Sequence, residues 1–123
     1  MATLIEGPHP GGFLIWEVLR DYTRETVTLA SGAGKLASGT VLGKITTGGK
    51  YTVLAPAATN GSQNVAGILW DNADATDADA FGVVLVRGPV IANRHELVWP
   101  EAATEAQIAA ATTALAALGI VLR

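Results

Sequence analysis

Phe81-Gly82-Val83-Val84-Leu85-Val86, closed at once by Arg87-Gly88-Pro89, is the stretch on which the fold turns. A short run rich in β-branched and aromatic residues, ended by a Gly-Pro break, predicts a strand. Upstream lies an Asp-rich loop over residues 71–79, and before it a second strand-like run over 65–70, entered through an Asn60-Gly61 turn. Further back, residues 40–46 and 50–54 flank Thr47-Gly48-Gly49, a sequence suited to a hairpin turn. Residues 26–29 alternate with the period of a strand, and Ser31-Gly32-Ala33-Gly34 breaks them off. Residues 13–19 are apolar and contain Trp16, with a charged turn over 20–25 behind them. Downstream, short extended pieces are expected at 90–92 and 96–98.

The C-terminal part changes character. Thr104 and Gln107 have the spacing of a capping box, in which the hydroxyl takes the third amide and the Gln side chain reaches back. Ile108, Ala111, Leu115 and Leu118 recur at helical spacing, and Gly119 sits where a left-handed C-cap falls. Residues 120–122 read as a last apolar strand or tail. The fold class is therefore mainly β, with about six or seven short strands, one short C-terminal α-helix and no internal repeat.

Residues 1–12 read as an extended N-terminal arm and 13–123 as a single β-rich domain. Gly7-Pro8-His9-Pro10-Gly11-Gly12 cannot form a helix, because each Pro removes a donor and pushes the residue before it to extended geometry. Thr3-Leu4-Ile5, followed by Glu6, is strand-capable but has no nearby segment to pair with. Such an arm is either disordered or held by a partner.

A chain of 123 residues supports one domain and buries enough surface to fold without staples. The absence of cysteine removes disulfides, thiolate metal sites and cysteine nucleophiles together. A net charge of −3 with eight thinly spread basic residues gives no cluster to displace phosphate counterions, so no direct nucleic-acid contact is expected. No apolar run approaches the ~18–20 residues of a membrane span, and the first residues lack the basic start and apolar run of a signal peptide. No membrane partner and synthesis in the cytoplasm are the expectation. Charged residues make up 15%, against the usual ~25%. Two explanations are open: some surface is covered by other subunits, or Ala and Gly simply inflate the apolar count.

Catalytic and metal readings fail on their spacing. The histidines are His9, in the arm, and His95, between Arg94 and Glu96; neither Ser31, Ser38 nor Ser62 sits in a nucleophile elbow. Ser31-Gly32-Ala33-Gly34-Lys35 faintly resembles a phosphate loop, but Leu29 stands where the first Gly belongs and Leu36 where the Ser or Thr belongs. Asp77, Asp79 and Gly82 have offsets helpful to a calcium loop, yet Phe81 takes a ligand position and Gly88 replaces the bidentate Glu. The Asp-rich stretch therefore reads as a solvated turn, and no cofactor or metal is expected. Trp16, Trp70 and Trp99 fit core packing and subunit contact better than a ligand cage. Trp16, Trp99 and the 89–91 edge (Pro89, Val90, Ile91) are the candidate exposed apolar contacts.

From residue 65 onward the chain resembles the lambda-type bacteriophage head decoration proteins. Val65-Ala66-Gly67-Ile68-Leu69, the strand ending Arg87-Gly88 and Leu97-Val98-Trp99-Pro100-Glu101-Ala102-Ala103 carry the resemblance. Pro10-Gly11-Gly12 is similar to the Pro-Gly-Gly at which the family's arm joins its domain, and Gly39-Thr40-Val41-Leu42-Gly43 with Gly49-Lys50-Tyr51 also fits. Residues 13–37 have no clear counterpart in the best-known member, and the arm before Pro10 is shorter.

The resemblance implies a β-clip-like homotrimer on the outer surface of the phage head at three-fold positions. It implies a non-enzymatic virion component that adds after the head expands and holds the lattice against packaged DNA. Its partner is the major capsid protein, contacted by the arm residues Thr3, Leu4, Ile5, Glu6, Gly7, Pro8, His9 and Pro10. Two other readings stand beside it: a tail, baseplate-cap or adhesion module, and a trimeric β-clip nucleotide hydrolase, whose carboxylate and Ser/Gly motifs this chain lacks.

Overall fold

The computed structural model describes residues 10–101 and 103–123. In chain order the elements are β1 (Leu14–Glu17), α1 (Arg20–Thr23), β2 (Arg24–Leu29), β3 (Gly34–Leu36), β4 (Val41–Lys44), β5 (Tyr51–Val53), β6 (Val65–Leu69), β7 (Ala73–Ala75), β8 (Ala80–Leu85) and β9 (Val90–Ala92). A 3-10 turn (Arg94–Glu96), α2 (Glu105–Ala117) and β10 (Ile120–Leu122) complete the chain. The protein is mainly β with a C-terminal helix, as the sequence predicts.

Five strands close a barrel in the order β2-β5-β4-β6-β8. β8 pairs antiparallel with β2 along its whole length, from Arg24 opposite Leu85 to Leu29 opposite Ala80. The β4–β5 hairpin forms across Gly48 and Gly49, both at positive φ, which only a residue without Cβ adopts cheaply. Successive side chains alternate between the two sides of the barrel wall. Leu29, Leu42, Leu69 and Val84 gather with Tyr51 and Val86 in one cluster. Their neighbours of opposite parity, Val41, Ile68 and Leu85, join Phe13, Val90, Leu97, Ala111, Leu115 and Ile120 in a second. The barrel wall is thus buried on both faces where residues 84–86 run, which is why Val84, Leu85 and Val86 are apolar in succession without alternation.

The second cluster is covered by α2 and by a three-stranded sheet, β1-β9-β10, in which β9 is central. The Thr104 capping box is present, Gln107 N–H donating to the Thr104 hydroxyl (3.2 Å) and Thr104 N–H to the Gln107 side chain (2.9 Å). Gly119, at φ 90°, ends the helix as expected and turns the chain into β10, so residues 120–122 are a strand rather than a tail.

Four segments differ from the sequence reading. The loops at 31–35 and 71–79 contribute β3 and β7, a two-stranded ribbon with Lys35 opposite Asp74. Three-residue strands of Gly, Ala and charged residues carry no periodic signal; pairing alone defines them. Residues 20–25 hold the single turn α1 before β2 begins. The extended piece expected at 96–98 is shortened: Glu96 ends a 3-10 turn capped by Asn93, whose side-chain oxygen accepts from His95 N–H (3.0 Å), while Leu97 is extended and Val98 forms a lone bridge with Thr40.

Candidate functional site: the arm root and an exposed apolar face

Thr3, Leu4, Ile5, Glu6, Gly7, Pro8 and His9 lie outside the described residues. Pro10 is exposed, and the next residue is already fastened to the domain. Gly11, at φ 64°, donates its N–H to the Trp70 carbonyl (2.8 Å), and its own carbonyl accepts from Leu14 N–H (2.9 Å). Its α-carbon abuts the Trp70 benzene ring so closely that a Cβ would stand 2.1 Å from Cη2. The Arg24 guanidinium lies over the same indole, 3.4 Å from the ring centroid, and the Phe13 ring meets it edge-on at 5.9 Å.

Arg24 is held in turn by Glu17, which accepts from Arg24 Nε (3.2 Å) and from a second guanidinium nitrogen, and also from the buried Thr23 hydroxyl (2.6 Å). Both ionic side chains are largely shielded, 19% exposed for Arg24 and 11% for Glu17. Burial works against the Glu17 carboxylate, but the Arg24 and Thr23 hydrogen bonds and the charges of Arg24 and Arg20 outweigh it. The carboxyl is held below its ordinary range.

The second feature is apolar. Ile15 (55% exposed), Trp16 (50%), Val18 (47%), Leu19 (58%) and Tyr22 (53%) follow one another along β1, the two-residue link behind it and α1. A bulge explains the first two. Leu14 faces Ala92 and Trp16 faces Ile91, so Ile15 is the extra residue, and two consecutive apolar side chains point outward. Val121 also stands beside Ile91, in the parallel ladder, placing Trp16, Ile91 and Val121 in one row across the sheet. Val121 is 45% exposed.

Of the residues singled out from the sequence, Trp16 belongs to this face and Ile91 is half-buried within it. Pro89 is exposed, but Val90 is 1% exposed and lies in the core. The segment is not a sheet edge: β9 is the middle strand, and alternation turns Val90 and Ala92 inward. Trp99 is half-buried against the second core cluster, beside a groove lined with Arg94, His95, Ile108 and Thr112. Sequence reasoning missed Ile15, Val18, Leu19 and Tyr22; the available signal was an apolar run over 13–16 without the alternation of a one-sided strand. It also missed Phe81, which is 80% exposed at the start of β8.

The acidic loop is used locally. Asp74 accepts from the Thr76 amide and hydroxyl, Asp71 from the Asn72 amide, and Asp79 from the Ser31 amide while pairing with Lys50 (2.6 Å). Among the described residues, no three His, Asp or Glu side chains gather as a metal site. Lys35, of the faint phosphate-loop motif, lies in β3 opposite Asp74.

Comparison with curated proteins returns no match. The family model of bacteriophage lambda head decoration protein D, in contrast, matches residues 3–120 of the 123-residue chain. That span takes in the described arm root, the barrel and α2, and the chain belongs to the bacteriophage lambda head decoration protein D family, structural proteins of the phage capsid.

Proposed function

We propose that the protein is a homotrimeric cement for the phage head. It binds the outer surface of the expanded shell at three-fold positions and stabilises it against the pressure of packaged DNA. The family supplies the capsid role. The trimer and the clamp are what the resemblance to the family implies, and the exposed apolar side chains of the domain are consistent with them.

The observation that carries the reading is the apolar face of β1, α1 and β10. Six large side chains, Ile15, Trp16, Val18, Leu19, Tyr22 and Val121, are each 45–58% exposed. Summed, they leave on the order of 500 Å² of side-chain surface in water, and Trp16, Ile91 and Val121 stand in one row across the sheet. A second copy covers such a face without any new chemistry, and the low charge content of the chain fits a surface that is covered.

The arm supplies the link to the shell. A segment that orders on the major capsid protein gains backbone hydrogen bonds but loses conformational entropy, so one arm alone binds weakly. Three arms on one rigid trimer make each later contact intramolecular and raise affinity by roughly 10² to 10⁴. A docking site that exists only after expansion makes binding selective for the mature lattice, and the binding free energy then opposes its disruption.

The test is co-sedimentation with purified expanded and unexpanded heads. Full-length protein is expected to pellet with expanded heads only, and a chain lacking residues 1–9 to stay in the supernatant while remaining trimeric. Equal binding to both kinds of head, or location of the protein on tails by electron microscopy, contradicts the proposal.

A further inference from the structure

We propose that Gly11, Trp70, Arg24 and Glu17 form a pedestal fixing the bearing at which the chain leaves the domain at Pro10. Gly11 and Trp70 are then positioning residues for capsid binding. The inference deepens the arm reading above and rests on it.

The pedestal joins segments far apart in sequence. Gly11 is tied on both sides, its N–H to the Trp70 carbonyl (2.8 Å) and its carbonyl to Leu14 N–H (2.9 Å). It also sits against the Trp70 ring, where a Cβ would fall 2.1–2.7 Å from three ring carbons. Trp70 N–H of the backbone donates to the Val83 carbonyl (2.8 Å), so the ring's own strand is anchored in the barrel wall. Arg24, at the start of β2, lies over the indole at 3.4 Å, and Glu17, at the end of β1, holds Arg24. A planar guanidinium suits both tasks, stacking on the ring and bonding the carboxylate through its edge.

This is more than a connection between an arm and a domain requires. Gly11 is in the left-handed region and touches the ring, so backbone conformation and space both exclude a side chain there. A shielded ion pair is an uncertain source of stability, because desolvation offsets the attraction, but it holds its members in one arrangement. The result is a chain exit whose direction is set by the barrel. A fixed exit reduces the orientations each arm must sample before meeting its site, which raises effective concentration at all three arms.

The chain lacks cysteine, so Pro10→Cys introduces a single thiol for a spin label. Three variants are compared in that background and, unlabelled, for binding to expanded heads. Gly11→Ala forces the backbone off the ring. Gly32→Ala is the control: it carries the same left-handed strain, φ 90°, with nothing within 4 Å of the new Cβ. Arg24→Lys keeps the charge and removes the planar stack.

Gly11→Ala is expected to mobilise the label and weaken binding about tenfold, Arg24→Lys to do both to a smaller degree, and Gly32→Ala to do neither. Gly11→Ala protein that is folded, trimeric and bound as tightly as wild type overturns the proposal, whether or not the label moves. If Gly11→Ala does not fold, Arg24→Lys decides, and unchanged affinity overturns it. Loss of residues 1–9 without effect on binding refutes the arm reading instead, so the two failures are told apart.

Discussion

Replacing Trp16 by Ala tests the proposed self-association most directly. The side chain is 50% exposed, so of the up to ~250 Å² that a Trp can bury, about 125 Å² awaits a partner. At about 25 cal/mol per Å², covering that half is worth roughly 3 kcal/mol per subunit. Three symmetry-related copies bring the loss to roughly 9 kcal/mol on trimer formation, a factor of about 10⁶ in the three-body constant. The concentration at which half the trimer dissociates varies as the square root of that constant, and so rises about 10³-fold. Sedimentation equilibrium over a dilution series reads this shift, and urea unfolding checks the fold. The other half of the ring already packs on its own domain, and losing it is expected to cost about 1–3 kcal/mol of stability. A variant that dissociates at the wild-type concentration refutes the assignment of this face, as does a wild-type chain that stays monomeric throughout.

Three further outcomes are expected. Leu115→Ala, at a fully buried position in the cluster under α2, should lose about 2–5 kcal/mol by urea unfolding; a loss under about 1 kcal/mol would mean that the helix is not seated there. Glu17→Gln should lose about 1 kcal/mol at neutral pH, since it removes the charge that Arg24 pairs with while leaving it an amide oxygen acceptor. Because the folded Glu17 carboxyl is depressed, its contribution is complete above the unfolded carboxyl's range and disappears as pH falls through the folded value. The unfolding curves of wild type and Glu17→Gln should therefore converge in acid, and a constant gap at every pH contradicts the ion pair. Gly119→Ala should destabilise by more than about 1 kcal/mol, combining a φ of 90° with a Cβ only 3.0 Å from the Gly88 backbone; a neutral result in thermal melts would show that the C-cap can relax.

The parts of the fold that were legible in the sequence are those whose signal is local. The Thr104 and Gln107 spacing, the Gly119 stop, the Gly48-Gly49 hairpin and the runs at 65–70 and 81–86 each name their own structure. What could not be read is what depends on distant partners. β3 and β7 exist because residues 34–36 pair with residues 73–75 from a distant part of the chain, and Val90 is interior because β9 has a strand on either side. Closure of the barrel is invisible for the same reason: β2 finds both β5 and β8, and no property of residues 24–29 says so.

The candidate site was partly visible, and the limit is again physical. Trp16 stood out by residue type, whereas its exposed neighbours depend on the bulge at Ile15, where a shift of one residue reverses which side chains face solvent. Gly11 and Trp70 were noticed separately, as an arm junction and a tryptophan, with nothing local to bring them together. Barrel closure gives that contact its consequence. A closed barrel has no hydrogen-bonding edge of its own, so among the described residues the open strand edges lie on the β1-β9-β10 sheet and the β3-β7 ribbon. The apolar row of Trp16, Ile91 and Val121 lies on that sheet, and the preceding chain is fastened to the barrel at Gly11. The proposed contacts of the side sheet and the arm therefore fall outside the barrel, and mutations in the barrel should alter stability more than stoichiometry.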